Sequence, residues 1–308
     1  MARTELFVRK HPGGVYTVAD EGYTTGSKFW VDSVTGASTN PGTSPDKPMA
    51  TIDQAINLCT ASKGDIIYVM PGHIETIAAT DGFDVDIAGV KIVGLGWGDA
   101  RPTLTFSATG SQVNIGAAGV WIENLRFVAG ISAVVAGVQV EGVDGIIFKN
   151  CEWYYGGTTT YDFVIGLEFE TGSDRTVVED CWFIAEDAVA GAASHIKYTG
   201  ASNDAIIRNN VFMGDCSTAC LNGTAASPGL FFVDNLVFNA DDAEPYLEVH
   251  ASTTGVIADT RGRSAVATVS DQASAAGMAH CENFVVNTPG THAIIKGAAG
   301  TVVADADS

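Results

Sequence analysis

A repeated pattern of alternating apolar residues around a central Asn, Asp or Gly runs through most of the chain. Two clear copies are residues 120–127 (VWIENLRF) and 146–153 (IIFKNCEW). Other copies are centred on residues 94, 180, 209, 235 and 283, and a degraded copy (Ile257-x-Asp259) falls inside the longest interval. A period of 24 to 30 residues with two-residue alternation is typical of a β-solenoid that makes one turn per repeat.

The repeat predicts what each position does. The central Asn, Asp or Gly tolerates left-handed backbone angles and indicates a corner between two short strands. Stacked turns lie about 4.8 Å apart, so equivalent residues form columns along the axis. We expect an inward column of large side chains at Trp97, Phe127, Trp153, Phe183, Phe212, Phe238 and Val286. We also expect amide hydrogen bonds along the Asn column, and Cys151 and Cys181 as reduced thiols in the core.

Residues 1–63 differ from the repeats and predict an N-terminal arm, a strand at 29–32, a turn-rich loop at 40–48 and a short helix. Thr51 and Gln54 have the spacing of a helix-capping pair, and the apolar residues that follow share one helical face. We expect this helix to close the open end of a solenoid formed by residues 64–308. A loop-like insertion is predicted around residues 251–277, where the repeat is weak.

Composition and charge exclude several classes of protein. Charged residues make up 17% of the chain, against about 25% in an average domain, and glycine accounts for 35 of 308 residues. The net charge of −20 argues against nucleic-acid and membrane partners. The first ten residues lack the apolar stretch of a secretory signal, and no apolar stretch is long enough to cross a bilayer as a helix. We expect a protein made in the cytoplasm and not secreted by a signal peptide.

The Asn corner, the aromatic column and residues 64–72 (GDIIYVMPG) together resemble the right-handed parallel β-helix, or pectin-lyase-like, superfamily. The resemblance covers roughly residues 64–297. It implies an all-β fold, a right-handed parallel β-helix. This superfamily includes lyases, hydrolases, adhesins and virion proteins, so the fold alone does not identify a function.

Two outward columns carry large apolar residues in successive turns, where an exposed strand face should be polar. The repeat assigns to them Trp121, Ile147, Val177, Ile206 and Phe232, and Trp182, Val211 and Val237. Contiguous apolar surface usually marks an interface. Two possibilities remain for what covers these apolar columns. One is another copy of the chain, which would make a homo-oligomer and by resemblance a trimer. The other is the chain's own N-terminal segment and loops. Between the columns, Glu123, Lys149, Glu179, Arg208 and Asp234 predict ion pairs between turns.

No catalytic or metal-binding group emerges from the residues. Resemblance to pectate lyases would imply a basic proton abstractor and an acidic Ca²⁺ cluster, and neither is visible. The Gly-His-Gly motif of polygalacturonases is missing, and His195-Ile-Lys197 only loosely echoes their Arg-Ile-Lys motif. Carboxylate pairs such as Glu168 and Glu170 arise easily among 36 acidic residues, and Cys216 and Cys220 lack a second pair at zinc-like spacing. We predict no catalytic residue, metal or cofactor, and lean against an enzyme.

The repeat, acidity and apolar columns resemble the trimeric β-helix decoration (cement) proteins of tailed-phage heads. This resemblance implies a structural virion protein on the capsid surface, with the major capsid protein and further copies of itself as partners. Arg3, Arg9 and Lys10 would then form a basic arm that docks on the capsid. The alternative is a tailspike or receptor-binding protein that binds or cleaves host polysaccharide, so a glycan partner stays open.

Overall fold

The computed structural model describes residues 7–9, 16–18, 24–80, 82–155, 161–185, 192–241, 243–264, 273–287 and 292–294. These residues lie mostly in short strands joined by tight turns. Apart from a small hairpin near the N-terminus, the strands form three sheets in which neighbours are parallel and come from successive repeats. The chain is therefore an all-β parallel β-helix, and the fold class predicted from the repeat is confirmed.

Each full turn crosses the three sheets in a constant order. In the described part of the chain, sheet I contains, in stacking order, β3 (Lys28–Val31), β4 (Ile66–Val69), β7 (Lys91–Gly94), β10 (Trp121–Glu123), β13 (Ile147–Lys149), β16 (Val177–Glu179), β19 (Ile206–Arg208), β22 (Leu230–Val233), β25 (Gly255–Ala258) and β28 (Met278–Cys281).

Sheet II lies on the other side of the corner from sheet I. Its described strands are β5 (Ile74–Ile77), β8 (Thr103–Phe106), β11 (Arg126–Ala129), β14 (Glu152–Tyr154), β17 (Trp182–Ile184), β20 (Val211–Gly214), β23 (Leu236–Asn239), β26 (Arg261–Ser264) and β29 (Phe284–Asn287), with β30 (His292–Ile294) antiparallel at the end.

Sheet III completes each turn. Its described strands are β6 (Phe83–Val85), β9 (Val113–Ile115), β12 (Val134–Val140), β15 (Phe163–Phe169), β18 (Ser194–Tyr198), β21 (Leu221–Gly223), β24 (Leu247–Val249) and β27 (Ala273–Ser274). The side chains that point inward from all three sheets form one continuous apolar core.

The corner between sheets I and II is a single residue in the left-handed conformation. Its φ lies between 50° and 59° at Asn124, Asn150, Asp180, Asn209, Asp234, Asp259 and Glu282. Short polar side chains adopt this conformation more readily than other non-glycine residues, which explains most of this column. The later corners are thus Asp234 and Glu282, one residue before the Asn235 and Asn283 expected from the repeat.

The aromatic column is confirmed in its middle and corrected at its ends. Phe127, Trp153, Phe183 and Phe212 stack with centroid separations of 4.9, 4.5 and 5.1 Å. Trp97 is 85% exposed, because the loop that includes a 3₁₀ turn at Gly98–Ala100 leaves Leu104 as the partner of Phe127. Phe238 points outward, since Val237 pairs with Phe212. The side chain of Val286 lies outside the described residues.

The predicted capping helix forms as α1 (Ile52–Ile56). The Thr51 hydroxyl accepts a hydrogen bond from the Gln54 N–H at 3.3 Å, as a helix N-cap does. Ile52, Ala55 and Ile56 are buried in the core, where the helix packs against β3, β4 and β6. Strand β3 pairs with β4, so the parallel ladder already begins upstream of residue 64.

The predicted insertion around residues 251–277 is corrected where the structure describes it. Strands β25 and β26 lie inside this range and pair in parallel register with β22 and β23 on one side and with β28 and β29 on the other. Residues 255–264 therefore form part of an ordinary turn. Gly255 and Gly262 take positions where a Cβ would meet backbone oxygens at 1.9 and 1.8 Å, which weakens the apolar pattern there. Residues 265–272 lie outside the described part.

Candidate functional site

The apolar column of sheet I is present, but one of its members is not the residue that the repeat predicts. Trp121, Ile147, Val177 and Ile206 are in lateral register and partly exposed. The next member is Phe231, which pairs with Ile206 and is 44% exposed. The predicted member Phe232 pairs with Ile207 and is fully buried in the core. Phe232 therefore cannot contribute to an outward interface.

The apolar column of sheet II is wider than the repeat predicts. Trp182 is 50% exposed, Val211 is partly exposed, and Leu236 is 37% exposed, in register with one another. The predicted Val237 is buried, so Leu236 takes its place. Two residues further along each strand, a second column adds Ile184, Met213 and Phe238. We call the set Trp182, Ile184, Val211, Met213, Leu236 and Phe238 the apolar face of sheet II.

The wrong prediction that Phe232 and Val237 point outward has a single cause in both cases. In a strand, successive side chains point to opposite sides, so a shift of one residue exchanges the core side for the solvent side. The repeat was aligned on Asn235, whereas the corner is Asp234, and the shift carried Phe232 and Val237 to the wrong side.

A row of charged side chains on the outer side of sheet I separates the two apolar columns. Lys149 Nζ lies 2.7 Å from Glu179 Oε1, and Arg208 Nε donates to Glu179 Oε2 at 2.8 Å. Burial alone would raise the pKa of Glu179, but hydrogen bonds from these two cations outweigh it and lower that pKa. Asp234 is a corner residue, and Val233 pairs with Arg208 in its place. The predicted ion pairs between turns are therefore present from Lys149 to Arg208, whereas Glu123 pairs with Lys91 and Asp234 takes no part.

The side chain of Trp121 is less available for contact with a partner than those of the other members of its column. Lys91 Nζ lies over its indole ring, 3.7 Å from the centroid, and also pairs with Glu123 at 2.8 Å. A cation over an aromatic face is attracted to it, so Lys91 covers this residue. Trp182, Phe231 and Leu236, the column members in the later turns, are instead each more than a third exposed.

Sheet III carries a polar ladder on its outer side that the repeat analysis did not identify. Its members pair in register from turn to turn: Asn114, Gln139, Glu168, Lys197, Asn222 and Glu248. The Gln139 side-chain amide donates to Glu168 Oε2 at 3.4 Å and to Glu170 Oε1 at 2.9 Å. The two carboxylates thus accept hydrogen bonds from the same amide nitrogen. In the sequence alone, a carboxylate pair of this kind does not stand out.

The electrostatic environment distinguishes the two carboxylates. Burial, reinforced by the neighbouring Glu170, raises the pKa of Glu168, while Lys197 opposes this shift. A carboxyl group with a raised pKa beside a second carboxylate is an arrangement that glycosidases use for acid–base chemistry. The ladder can also hydrogen-bond sugar hydroxyl groups through its amides and carboxylates.

A third group of functional side chains lies inside the β-helix. Strand β18 contributes His195, and the loop between β20 and β21 contributes Cys216 and Cys220. One ligand atom from each of the three lies within 4.8 Å of the others, and all three residues are fully buried. The sequence showed only the two cysteines, because His195 comes from a preceding turn and is brought to them by the fold.

The predicted capsid-docking residues are only partly described. Arg9 ends the short strand β1 (Phe7–Arg9), which pairs antiparallel with β2 (Tyr16–Val18). Arg3 and Lys10 lie outside the described residues, so the docking role of all three stays a prediction. Among the described residues, no helix has the length and apolar character needed to cross a membrane.

Comparisons with known proteins found matches among solved structures. No protein-family model and no curated protein sequence matches the chain. Solved structures that match include a rhamnogalacturonan lyase, with 11% identity, a TM-score of 0.35 and coverage of 88% of this chain and 90% of that one.

Two further matches are glycoside hydrolases. A GH136 lacto-N-biosidase from Eubacterium ramulus has 13% identity and a TM-score of 0.46, covering 77% of this chain and 56% of that one. An endo-xylogalacturonan hydrolase from Aspergillus tubingensis has 9% identity and a TM-score of 0.45, covering 91% of each chain. Similarity at this level does not extend to activity or substrate.

Proposed function

We propose that the chain is a structural protein that associates with copies of itself through its outward apolar columns, and that it decorates and stabilises a phage capsid in this form. The single observation that carries the proposal is the apolar surface on the later turns. Trp182 and Leu236 are large, more than a third exposed and in register through Val211 on sheet II, and Phe231, also more than a third exposed, lies on sheet I in the same turn as Leu236. Monomeric proteins rarely expose contiguous apolar surface of this kind.

The arrangement of this surface suits a second copy of the chain. The columns run along the stacking direction, so copies packed side by side with parallel axes would match them over several turns. The charged row between the columns, centred on Lys149, Glu179 and Arg208, adds polar groups that fix register. Closed rotational symmetry would then bury the columns around a central axis, and a trimer is the state that the resemblance favours.

The location on a capsid rests on the resemblance to phage decoration proteins and on charge. A β-helix closed at one end by α1 forms a rigid post, and a net charge of −20 per chain keeps dense particles from aggregating. In this proposal the major capsid protein is the partner, and Arg3, Arg9 and Lys10 provide the electrostatic contact.

The number of copies per virion tests this location. Purified virions would be digested, and peptides of this chain quantified by mass spectrometry against those of the major capsid protein. We expect copies in numbers comparable to the shell protein. A few tens of copies or fewer would place the chain in the tail, and its absence from virions would overturn the virion assignment.

The polar ladder of sheet III favours a second candidate, a protein that binds or cleaves host polysaccharide. Glu168, with its raised pKa, would act as the general acid, and Glu170 as the second carboxylate. Gln139 and Lys197, which flank Glu168 in the ladder, would hold sugar hydroxyl groups on either side.

A reducing-sugar assay over a panel of bacterial surface polysaccharides tests this candidate. Cleavage that falls at least about a hundredfold in Glu168→Gln would support it, since removal of a general acid typically costs this much. Glu248→Gln is the matched control, because it changes the same ladder away from the carboxylate pair. Cleavage that is equal in both variants, or missing in the wild type, would reject this reading.

A further inference from the structure

The cluster of His195, Cys216 and Cys220 is unusual among the buried polar groups because it combines three side chains that bind metals. Each is fully buried, and the ligand atoms of all three lie within 4.8 Å of one another. Other buried cysteines in the core, such as Cys151 and Cys181, contact each other and backbone carbonyl groups. Cys151 and Cys181 are therefore the reference for thiols that only fill the core of this fold.

The histidine is held in an orientation that suits a metal ligand. His195 Nδ1 lies 2.8 Å from the Tyr155 hydroxyl, which is itself buried. Metal-binding histidines usually donate their second ring N–H to an oxygen in this way, which leaves the other nitrogen with a free lone pair. Within the described residues, His195 Nε2 makes no hydrogen bond of ordinary geometry, although the imidazole interacts with the Cys216 thiol. Leaving a buried polar atom unsatisfied costs free energy, so this nitrogen calls for an explanation.

A second unsatisfied atom lies beside the cluster. The hydroxyl of Tyr246 is fully buried and has no hydrogen-bond partner in the described part of the chain, although it interacts electrostatically with Cys220. A phenol hydroxyl can donate to a thiolate or approach a cation as an oxygen ligand. Two buried polar atoms without hydrogen bonds of their own, next to two thiols, fit the lining of a cation site.

The backbone around the cysteines is fixed by further contacts. The Cys216 N–H donates to Asn239 Oδ1 at 3.0 Å, and the Asn239 amide donates to the carbonyl oxygens of Glu244 and Pro245. At Gly214, a Cβ would lie 2.7 Å from Cβ of Ala185 and 3.4 Å from Cε1 of His195, so the glycine lets the chain pass close to Ala185 beside the ring. The loop that carries both thiols is thus held in place next to the imidazole.

We propose that His195, Cys216 and Cys220 bind a thiophilic d¹⁰ cation, Zn²⁺ or Cu⁺, as a structural site inside the β-helix. Thiolates and imidazole are the ligands that these ions prefer. Two thiolates and a neutral imidazole neutralise Zn²⁺, which suits a buried site, whereas a three-ligand set without water suits Cu⁺. Around a tetrahedral zinc ion the ligand atoms would lie about 3.6–3.8 Å apart, so a contraction of about 1 Å closes the cluster on the ion.

Metal content of the full-length chain tests the proposal. The protein would be purified under reducing conditions and dialysed against Zn²⁺ or, anaerobically, Cu⁺. Metal per chain would then be measured by mass spectrometry, and affinity by competition with a chromogenic chelator. We expect one ion per chain. The ion retained against the stronger competitor identifies which of the two the site prefers.

Two matched cysteine variants separate the site from general thiol binding. Cys220→Ala should lower the affinity at least tenfold, while Cys181→Ala, which removes a buried thiol outside the cluster, should leave one ion bound at unchanged affinity. Equal affinities in the two variants, or less than a tenth of an ion per wild-type chain, would overturn the proposal.

X-ray absorption of the loaded wild-type chain gives a readout that does not depend on how a variant folds. We expect two sulfur neighbours at about 2.3 Å and at least one nitrogen. A first shell of oxygen and nitrogen alone would exclude the cysteines as ligands and overturn the proposal.

Discussion

Single side chains in the inward aromatic column carry a large share of the packing energy. Trp153 is fully buried between Phe127 and Phe183, at centroid separations of 4.9 and 4.5 Å. Replacing a buried aromatic residue with alanine removes its apolar area and leaves a cavity between turns. We predict that Trp153→Ala lowers the free energy of unfolding by about 3–5 kcal/mol, measured by urea denaturation.

A second tryptophan supplies the control for this prediction. Trp97 occupies the equivalent place in the repeat but is 85% exposed. We expect Trp97→Ala to change stability by no more than about 0.5 kcal/mol. Similar losses in the two variants would mean that the stacked column does not dominate the core.

The ion cluster around Glu179 makes stability depend on pH. Its pKa is lowered in the folded chain, because the hydrogen bonds from Lys149 and Arg208 outweigh the effect of burial. A group with a lowered folded pKa contributes stability above its unfolded pKa and loses it as the pH falls through the folded value. We predict that Glu179→Gln costs about 1 kcal/mol at pH 7 and progressively less at acidic pH below 4.5.

Denaturation midpoints of wild type and variant over a series of pH values check this dependence. Asp99→Asn, which changes an exposed carboxyl in the 3₁₀ turn outside this ion cluster, is the control for the loss of one negative charge. A constant difference between wild type and Glu179→Gln from pH 7 to pH 3 would contradict the assigned role of the two cations.

At the scale of secondary-structure elements, an internal asparagine ladder joins the strands on both sides of the corner. Asn235 Oδ1 accepts hydrogen bonds from the backbone and side-chain amides of Asn210 at 3.0 and 3.1 Å, and its own amide donates to the Ile207 carbonyl at 2.9 Å. Asn210 repeats this pattern with Cys181 and Val178. The ladder therefore satisfies backbone groups that three successive turns leave at the corner.

Removing one member of the ladder should cost more than its own hydrogen bonds. Asn235→Leu would leave the buried backbone N–H of Asn210 without a partner and would remove the hydrogen bond to the Ile207 carbonyl, at about 1–3 kcal/mol for each group left unsatisfied. We predict a loss of at least about 2 kcal/mol in the free energy of unfolding, measured by urea denaturation.

The neighbouring corner residue gives the matched control. Asn209 is exposed, has a φ of 54°, and donates through its side-chain amide to Asp180, the corner residue of the preceding turn. Since glycine takes this conformation freely, Asn209→Gly should stay within about 0.5 kcal/mol of wild type. If it destabilises as strongly as Asn235→Leu, the buried ladder is not the stabilising element.

Asparagine serves two roles at adjacent positions, and this explains why the sequence predicts the strands but not the register of the later ones. The exposed corner favours Asn for its left-handed backbone, and the buried position after it favours Asn for its two-sided amide. The pair Asn209–Asn210 satisfies both, so the repeat alone does not separate Asp234 from Asn235. The period, the sheets and the capping helix followed from the pattern, whereas the register of the later turns did not.

The candidate sites were predictable to different extents for a similar reason. The apolar columns repeat in sequence, so most members could be found before the structure. His195 and the two cysteines occur once each and meet only because turns of unequal length stack in register. Glu168 and Glu170 were visible as a pair, but the amide of Gln139 that joins them comes from the preceding turn.

At the scale of the whole molecule, association of copies has to overcome electrostatic repulsion. Each chain carries a net charge of −20, so close packing of copies is opposed by like charge, and salt should strengthen association by screening it. Burial of apolar area contributes about 25 cal/mol per Å², which favours contact through Trp182, Phe231 and their neighbours.

The mass of the full-length chain in solution tests self-association through this surface most directly. Sedimentation velocity over a range of concentrations should give three times the 32.0 kDa chain mass for wild type. Trp182→Asp and Phe231→Asp place a charge on the two columns and should shift the mass toward a single chain. Val34→Asp, at a residue that is 81% exposed in an N-terminal loop, should leave the wild-type mass unchanged. A wild type that sediments as a single chain at every concentration, or oligomers that persist in both column variants, would contradict the account.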